Sequence, residues 1–215
     1  MQVLVIGGTE FISLHLVRAL LRDGHRVAVL NRGRNPARLP AGVRTIVCDR
    51  TDHAALRKTL ASERCDALVD IAYAPTSGAD VEALVDALDG RVGHAVFVST
   101  GRVHDHALPI PYHEDTPRNL YWGDYARNKI AGEDVLMRRW RERRLPVTIV
   151  RPTHVYGPLN TRNNETFFST GSSATGRSSF RARAAGFASS VTSKTWPMPW
   201  RRCSACRRRS VKRTT

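Results

Sequence analysis

The sequence predicts an α/β fold, a doubly wound parallel sheet with helices on both faces. Short apolar runs alternate with stretches of helical spacing from Val3 to Val150. A glycine turn, Gly7-Gly8-Thr9, joins the first apolar run directly to the first helical stretch. Strand and helix patterns take turns without an internal repeat, and right-handed crossovers then make neighbouring strands parallel.

The first strand is Val3-Leu4-Val5-Ile6, and the helix after the turn carries Phe11, Ile12, Leu16, Leu20 and Leu21 on one side. A buried strand, a glycine turn and an immediate helix form the Rossmann-type arrangement that holds a dinucleotide. The glycines let the backbone approach a pyrophosphate, and the helix start offers unpaired N–H groups and a positive dipole end. The glycine spacing is imperfect, with Glu10 and Ser13 at its second and third positions. Ser13 is small enough for close packing, whereas Glu10 repels phosphate unless its carboxylate faces solvent. Such turns also occur without a ligand, so this stretch alone leaves both readings open.

A second strand, Arg26–Leu30, follows the turn at Asp23-Gly24 and ends at Asn31 and Arg32. An acidic residue there would pair with the ribose hydroxyls of NAD. Asn31 does not repel a 2′-phosphate, and Arg32 or Arg34 offers it a cation, which favours NADP over NAD. As plain surface charges, the two arginines would have no such role. Val43–Val47 is a third strand, followed by Asp49, placed for an adenine contact. Asp52 caps a helix running to about Ser62. Ala67–Ile71 is a fourth strand, with Ala72-Tyr73-Ala74-Pro75 as a small-residue loop beside the cofactor. A helix spans about Ala79 to Leu88, and His94–Ser99 is a fifth strand.

Ser99 and Thr100 place hydroxyls at the carboxyl end of that fifth strand, where ligands of such sheets bind. A helix from about Gly123 to Arg143 then carries Tyr125 and Lys129, four residues apart on one face. A nearby ammonium favours the phenolate and lowers a tyrosine pKa from about 10. Tyr125 thereby becomes a general acid/base, with Thr100, or else Ser99, on the reacting oxygen. Alone, a Tyr/Lys pair at this spacing is usually a solvated helix face; its position in the chain gives it weight. The sixth strand, Val147–Val150, runs into Arg151-Pro152-Thr153-His154-Val155-Tyr156-Gly157-Pro158. His154 is assigned to the loop, since nothing near it in sequence would orient it as a base.

These motifs together resemble the extended short-chain dehydrogenase/reductases, the NAD-dependent epimerase/dehydratase family, over residues 1 to about 168. The resemblance rests on Gly7-Gly8-Thr9-x-Phe11-Ile12, Ser99-Thr100 with Val103, Tyr125-x-x-x-Lys129, and Arg151-Pro152-x-x-Val155-Tyr156-Gly157-Pro158. It implies Tyr125 as acid/base, Lys129 on the nicotinamide ribose, Thr100 as catalytic hydroxyl, and Pro152 and Val155 lining the nicotinamide. It also implies hydride transfer between the nicotinamide and a substrate carbinol carbon. The substrate class is a sugar nucleotide or similar polyol, and the assembly a homodimer paired through the Tyr125 helix. The Asn31-Arg32-Gly33 ending is similar to the subgroup of the chloroplast stem-loop-binding proteins, which implies a rival reading as a non-catalytic RNA-binding relative. Glu10, Ser13 and His104, the last where tyrosine is usual, depart from the pattern and bear on cofactor affinity.

The net charge of +15 invites a nucleic-acid reading, but its distribution opposes one. Residues 169–215 hold 11 of the 34 basic residues and none of the 19 acidic ones. Residues 1–168, read as the NAD(P)-binding domain, keep 23 basic against 19 acidic residues, so any nucleic-acid attraction is nonspecific and belongs to the tail. The first strand starts at once after Met1, and no apolar run reaches spanning length, giving a cytoplasmic expectation without a membrane. Cys48 and Cys65 read as isolated thiols, and a single Cys203-x-x-Cys206 pair with no histidine after it does not make a metal site.

Residues 169–215 read either as a disordered basic tail or, as favoured here, as a shifted reading frame. Regrouping the bases of a GC-rich reverse translation by two turns Val191–Arg207 into a segment beginning His-Val-Glu-Asp-Leu-Ala. That resembles the family's His-Val-x-Asp-Leu-Ala segment. The junctions Trp196-Pro197 and Met198-Pro199 give alanine whatever codons are used. The expectation is a one-base shift near Phe168, with the substrate-binding part and a seventh strand missing and Val150 at an uncovered sheet edge.

Overall fold

A computed structural model of the chain describes residues 1–35, 38–72 and 76–160. Six strands, β1 (Gln2–Ile6), β2 (Arg26–Asn31), β3 (Arg44–Val47), β4 (Ala67–Asp70), β5 (Ala95–Val98) and β6 (Val147–Val150), form one parallel sheet in the order β3-β2-β1-β4-β5-β6. The chain runs outward from β1 to β3, returns, and runs outward again from β4 to β6. The two halves therefore diverge between β1 and β4, where a ligand crevice opens at the carboxyl ends of such sheets.

Four helices accompany the strands: α1 (Phe11–Arg22), α2 (His53–Leu60), α3 (Gly78–Ala87) and α4 (Gly123–Arg143). Val3 to Ile6 of β1 are all buried, because a central parallel strand is covered on both faces. Leu4, Ile6, Leu30 and Leu68 pack with Leu56 and Leu60 of α2 and Leu84 of α3. Phe97 and Ala95 pack with Val81 and Val85 of α3 and Leu136 of α4. On β5, Ala95 and Phe97 are buried while Val96 and Val98 are half-buried, as alternation requires of a strand covered unequally.

The six expected strands and four expected helices are present, with boundaries shifted by one or two residues. Asp52 caps α2, its carboxylate accepting the Ala55 N–H at 3.0 Å. Ser77 caps α3 reciprocally with Asp80, and this signal was not read from the sequence: Ser77 Oγ accepts the Asp80 N–H at 3.2 Å, and Asp80 accepts the Ser77 N–H at 2.7 Å. A 3-10 turn at Gly101–Val103 was likewise unanticipated. α4 ends at Arg144, whose left-handed conformation (φ 54°) closes the helix ahead of Pro146.

α4 lies close to the sheet because of Gly132. A Cβ there would stand 2.8 Å from Phe97 Cζ, so only glycine leaves the ring its place. This close approach brings the polar face of α4 to the ends of β4 and β5. Among the described residues, β6 is an edge strand. The expected domain boundary at Phe168, the basic tail, Cys203, Cys206 and the shifted frame all lie outside the described residues, as do Tyr73, Ala74 and Pro75.

Candidate active site

The glycine turn sits at the carboxyl end of β1. Gly7 and Gly8 have φ of 113° and 94°, a region that favours glycine, and a Cβ on Gly8 would come 2.7 Å from Val29 Cγ1. Thr9 is half-buried, and Glu10, the N-cap residue of α1, is exposed. Ser13 stands at the third glycine's place, its hydroxyl donating to the Glu10 carbonyl at 2.6 Å. Phe11 starts α1 with φ 36°, an uncommon conformation for a bulky residue, and Ile12 follows half-buried.

Asn31 ends β2 by tying down its own turn. Its Oδ1 accepts the Gly33 N–H at 2.7 Å, and its Nδ2 donates to the Gly7 carbonyl at 3.4 Å. Arg32 and Arg34 are exposed beyond it. Asp49 is exposed, and its Oδ1 accepts from Thr51 N and Oγ1 at 3.0 and 2.8 Å. Those hydrogen bonds, with the charges of Arg32 and Arg34, hold its carboxyl below the usual range. The β2 tip thus presents two guanidiniums and a fixed amide, with the one carboxylate set back at the end of β3.

Lys129 is the centre of the arrangement. It is 5% exposed, and its Nζ donates to the Val98 carbonyl at 2.9 Å and the Ala72 carbonyl at 3.5 Å. Nζ also lies 4.9 Å from the centroid of the Phe97 ring. Burial pushes the ammonium below its usual pKa, while the Asp70 carboxylate pulls it back up. Ala72 in turn abuts the glycine turn, since a Cβ on Gly7 would lie 3.9 Å from Ala72 Cα. Asn31, Gly7, Ala72, Lys129 and Val98 therefore form a continuous crest along the ends of β2, β1, β4 and β5.

The crest continues to β6. Thr100 is buried, and its Oγ1 accepts the Arg102 N–H at 3.3 Å. Gly101 donates its N–H to the Pro152 carbonyl at 2.7 Å, and a Cβ there would meet Thr153 Cγ2 at 2.9 Å. Thr100 and Pro152 are thus brought side by side. Val155 is half-buried, and His154 is exposed in the same loop. Tyr125 is half-buried in the first turn of α4, one helical turn before Lys129.

Two buried ion pairs support this crest, and sequence reading missed both. Arg50 and Asp70 meet end-on at 2.7 and 2.9 Å with both side chains almost wholly buried. Asp70 also accepts the Ala72 N–H at 3.4 Å, fixing the backbone whose carbonyl receives Lys129. Glu133, one turn beyond Lys129 and 1% exposed, receives Arg151 Nε and Nη2 at 2.9 and 2.7 Å. Burial would raise the Glu133 pKa, but Arg151 outweighs it and holds the carboxyl below its usual range. The pair ties α4 to the residue leaving β6. The spacing of Tyr125, Lys129 and Glu133 was a visible sign that Glu133 shares their face. His104 is buried, stacked on Tyr112 with centroids 5.0 Å apart, and burial keeps its imidazole pKa low.

A dinucleotide fits these residues. Gly7 and Gly8 carry no side chain at the turn, and the first N–H groups of α1 have no backbone partner within the helix. Lys129 has three N–H donors and gives two to carbonyls, which leaves one for a ribose hydroxyl. Among the described residues, no cluster of His, Cys, Asp or Glu could hold a metal ion, and no helix is long and apolar enough to cross a membrane.

The chain is 32% identical over 156 residues to a 2'-dehydrokanamycin reductase of Streptomyces kanamyceticus, a match covering 73% of this chain and 43% of that protein. It is 26% identical over 183 residues to the chloroplast stem-loop binding protein of 41 kDa b of Arabidopsis thaliana, covering 78% and 45% respectively. The chain therefore spans about half the length of these relatives. Among solved structures, the Bordetella bronchiseptica enzyme WbmH in complex with NAD+ superposes with a TM-score of 0.66 at 23% identity, over 82% of this chain and 63% of that one. At that identity the likeness bears on the fold alone. The model of the NAD dependent epimerase/dehydratase family matches residues 3–174, and the chain belongs to that family.

Proposed function

We propose that this chain is the cofactor-binding and catalytic part of an NAD(P)-dependent oxidoreductase, epimerase or dehydratase. Its substrate is a sugar nucleotide or a similar polyol, worked at a hydroxyl-bearing carbon. The observation that carries the reading is the buried Lys129 ammonium, held between the Val98 and Ala72 carbonyls where the glycine turn meets the sheet. A pure binding module has no use for a desolvated lysine one turn from a tyrosine. The enzymatic reading is therefore preferred to the RNA-binding one.

Gly7, Gly8, Thr9, Phe11 and Ile12 would hold the pyrophosphate, and Asn31, Arg32 and Asp49 the adenosine end. The exposed guanidiniums beyond Asn31 favour NADP. Ala72, Lys129, Pro152 and Val155 would hold the nicotinamide riboside. The bound nicotinamide supplies hydride transfer. Tyr125 moves the proton of the substrate hydroxyl, Lys129 lowers the cost of its phenolate, and Thr100 orients the reacting oxygen. Titration with NADPH and NADH, followed by nicotinamide fluorescence, tests the cofactor reading. Saturable binding, tighter for NADPH, is expected; no binding of either nucleotide contradicts it.

The shifted frame belongs to the same reading. The match spans about half of the length of these relatives. Resequencing the DNA is expected to show that one added or removed base near the Phe168 codon opens a frame similar to the family. An intact gene without such a frame removes the idea.

A further inference from the structure

A buried carboxylate lies close to the ammonium that the proposed reaction uses, yet does not bond to it. Asp70, the last residue of β4, is 4% exposed. Burial lowers the Lys129 pKa and the Asp70 carboxylate opposes that, so the two charges act on each other. Lys129 Nζ nevertheless gives its hydrogen bonds to the Val98 and Ala72 carbonyls. Both Asp70 oxygens are taken by Arg50 instead: Oδ1 accepts from Nη1 at 2.7 Å and Oδ2 from Nη2 at 2.9 Å. An aspartate and a lysine left alone in so dry a place would close to contact, since charges attract more strongly there than in water. A closed pair would draw Nζ away from its carbonyls.

The charges that bear on Lys129 come from three elements. Asp70 acts from the end of β4, Arg50 from the segment between β3 and α2, and Glu133 from one turn further along α4, where Tyr125 stands one turn earlier. Glu133 is occupied by Arg151 as Asp70 is by Arg50. Each of these two buried carboxylates thus has a guanidinium of its own. Asp80, in the first turn of α3, gives Arg50 a second countercharge, and is itself held by Ser77 Oγ at 2.8 Å and His53 Nε2 at 2.7 Å. A buried ion pair adds little stability over apolar residues of the same size, so stability alone does not account for Arg50 and Asp70.

We propose that Arg50 is a positioning residue for Lys129. By holding Asp70 end-on, it keeps that carboxylate from capturing the ammonium. The third Nζ hydrogen then stays available to a cofactor ribose, and the charge stays available to Tyr125. Asp70 contributes by fixing the acceptor, because its Oδ1 takes the Ala72 N–H at 3.4 Å and the Ala72 carbonyl takes Nζ. The role rests on the oxidoreductase reading and gives Arg50 and Asp70 a part in it.

The sequence holds four lysines, Lys58, Lys129, Lys194 and Lys212, so NMR of the full chain labelled with carbon-13 at lysine Cε follows four titrations. Lys129→Met identifies the signal of interest. In Arg50→Gln, which releases Asp70, the Lys129 titration should rise by about one to two pH units, the effect of an opposite charge coming into contact. NADPH binding should weaken about tenfold, the scale of one lost hydrogen bond from a charged group. In the double variant Arg50→Gln, Asp70→Asn both charges are gone. The titration should then return to the wild-type value or below it, and NADPH affinity should recover. A guanidinium needed only for packing would leave the two variants alike, because both lack it. Arg50→Gln buries an unpaired carboxylate; should it not fold, Asp70→Asn takes its place. There the released Arg50 repels Lys129 and lowers its titration by about one unit, and adding Arg50→Gln reverses the fall. A Lys129 titration equal to wild type in the single variant, or unrepaired in the double variant, overturns the role. A wild-type chain that binds no NADPH removes the oxidoreductase reading, whereas the lysine titrations need no nucleotide and are scored separately.

Discussion

Tyr125→Phe is expected to lower turnover by about a hundred- to ten-thousand-fold, the usual contribution of a positioned acid/base. NADPH affinity should not change, because the side chain sits one turn before the lysine that would hold the ribose. The removed hydroxyl is the only atom altered, so packing of the half-buried ring is kept. NADPH oxidation in the frame-corrected chain measures the rate, and fluorescence titration of both chains measures the affinity. An undiminished rate removes Tyr125 from the mechanism. A fall in NADPH affinity equal to the fall in rate would instead make Tyr125 a cofactor-binding residue.

Glu133→Gln is expected to cost about 3–5 kcal/mol of stability, the scale for breaking a buried ion pair by removing one partner. The carboxylate is 1% exposed and takes two hydrogen bonds from Arg151, with Arg118 Nη1 a further 3.4 Å away. The amide can match the shape but leaves the Arg151 guanidinium short of its countercharge, while Arg118 keeps Asp134 at 2.8 Å. For a chain of this length the unfolding midpoint should fall on the order of 10 °C. The sign with pH follows from the lowered carboxyl pKa of the folded state. The pair's contribution is full above the ordinary carboxylate pKa of about 4.3 and is lost as pH falls through the lower folded value. Wild type should therefore lose stability on acidification more steeply than Glu133→Gln, and equal acid limbs would contradict the assignment. Replacing Glu133 and Arg151 together by apolar residues should recover part of the loss.

The sheet was legible because its strands are short apolar runs and its turns carry glycine or capping residues. α4 was legible to its ends, since Gly123 and Arg143 bound one uninterrupted helical stretch. Lys129 was legible as a residue but not in its bonds. Its carbonyl partners, Ala72 and Val98, lie 57 and 31 residues away and meet it only in the folded chain. The Arg50–Asp70 pair escaped for the same reason: two charges 20 residues apart look solvated in sequence and are buried together in the structure. Glu133 was within reach of the four-residue spacing. Ser77 was hidden because its capping partner is an aspartate rather than the usual glutamate or glutamine.

The central claim is that the crest from Asn31 to Lys129 cradles a nicotinamide dinucleotide with its reactive ring beside Tyr125. A crystal structure of the chain soaked with NADPH measures this most directly. The expected result places the pyrophosphate on the Gly7–Thr9 turn and a ribose hydroxyl on Lys129 Nζ, with the nicotinamide between Thr100 and Tyr125. A nicotinamide bound away from the α4 face, or a lysine that keeps only its two carbonyls, would contradict it.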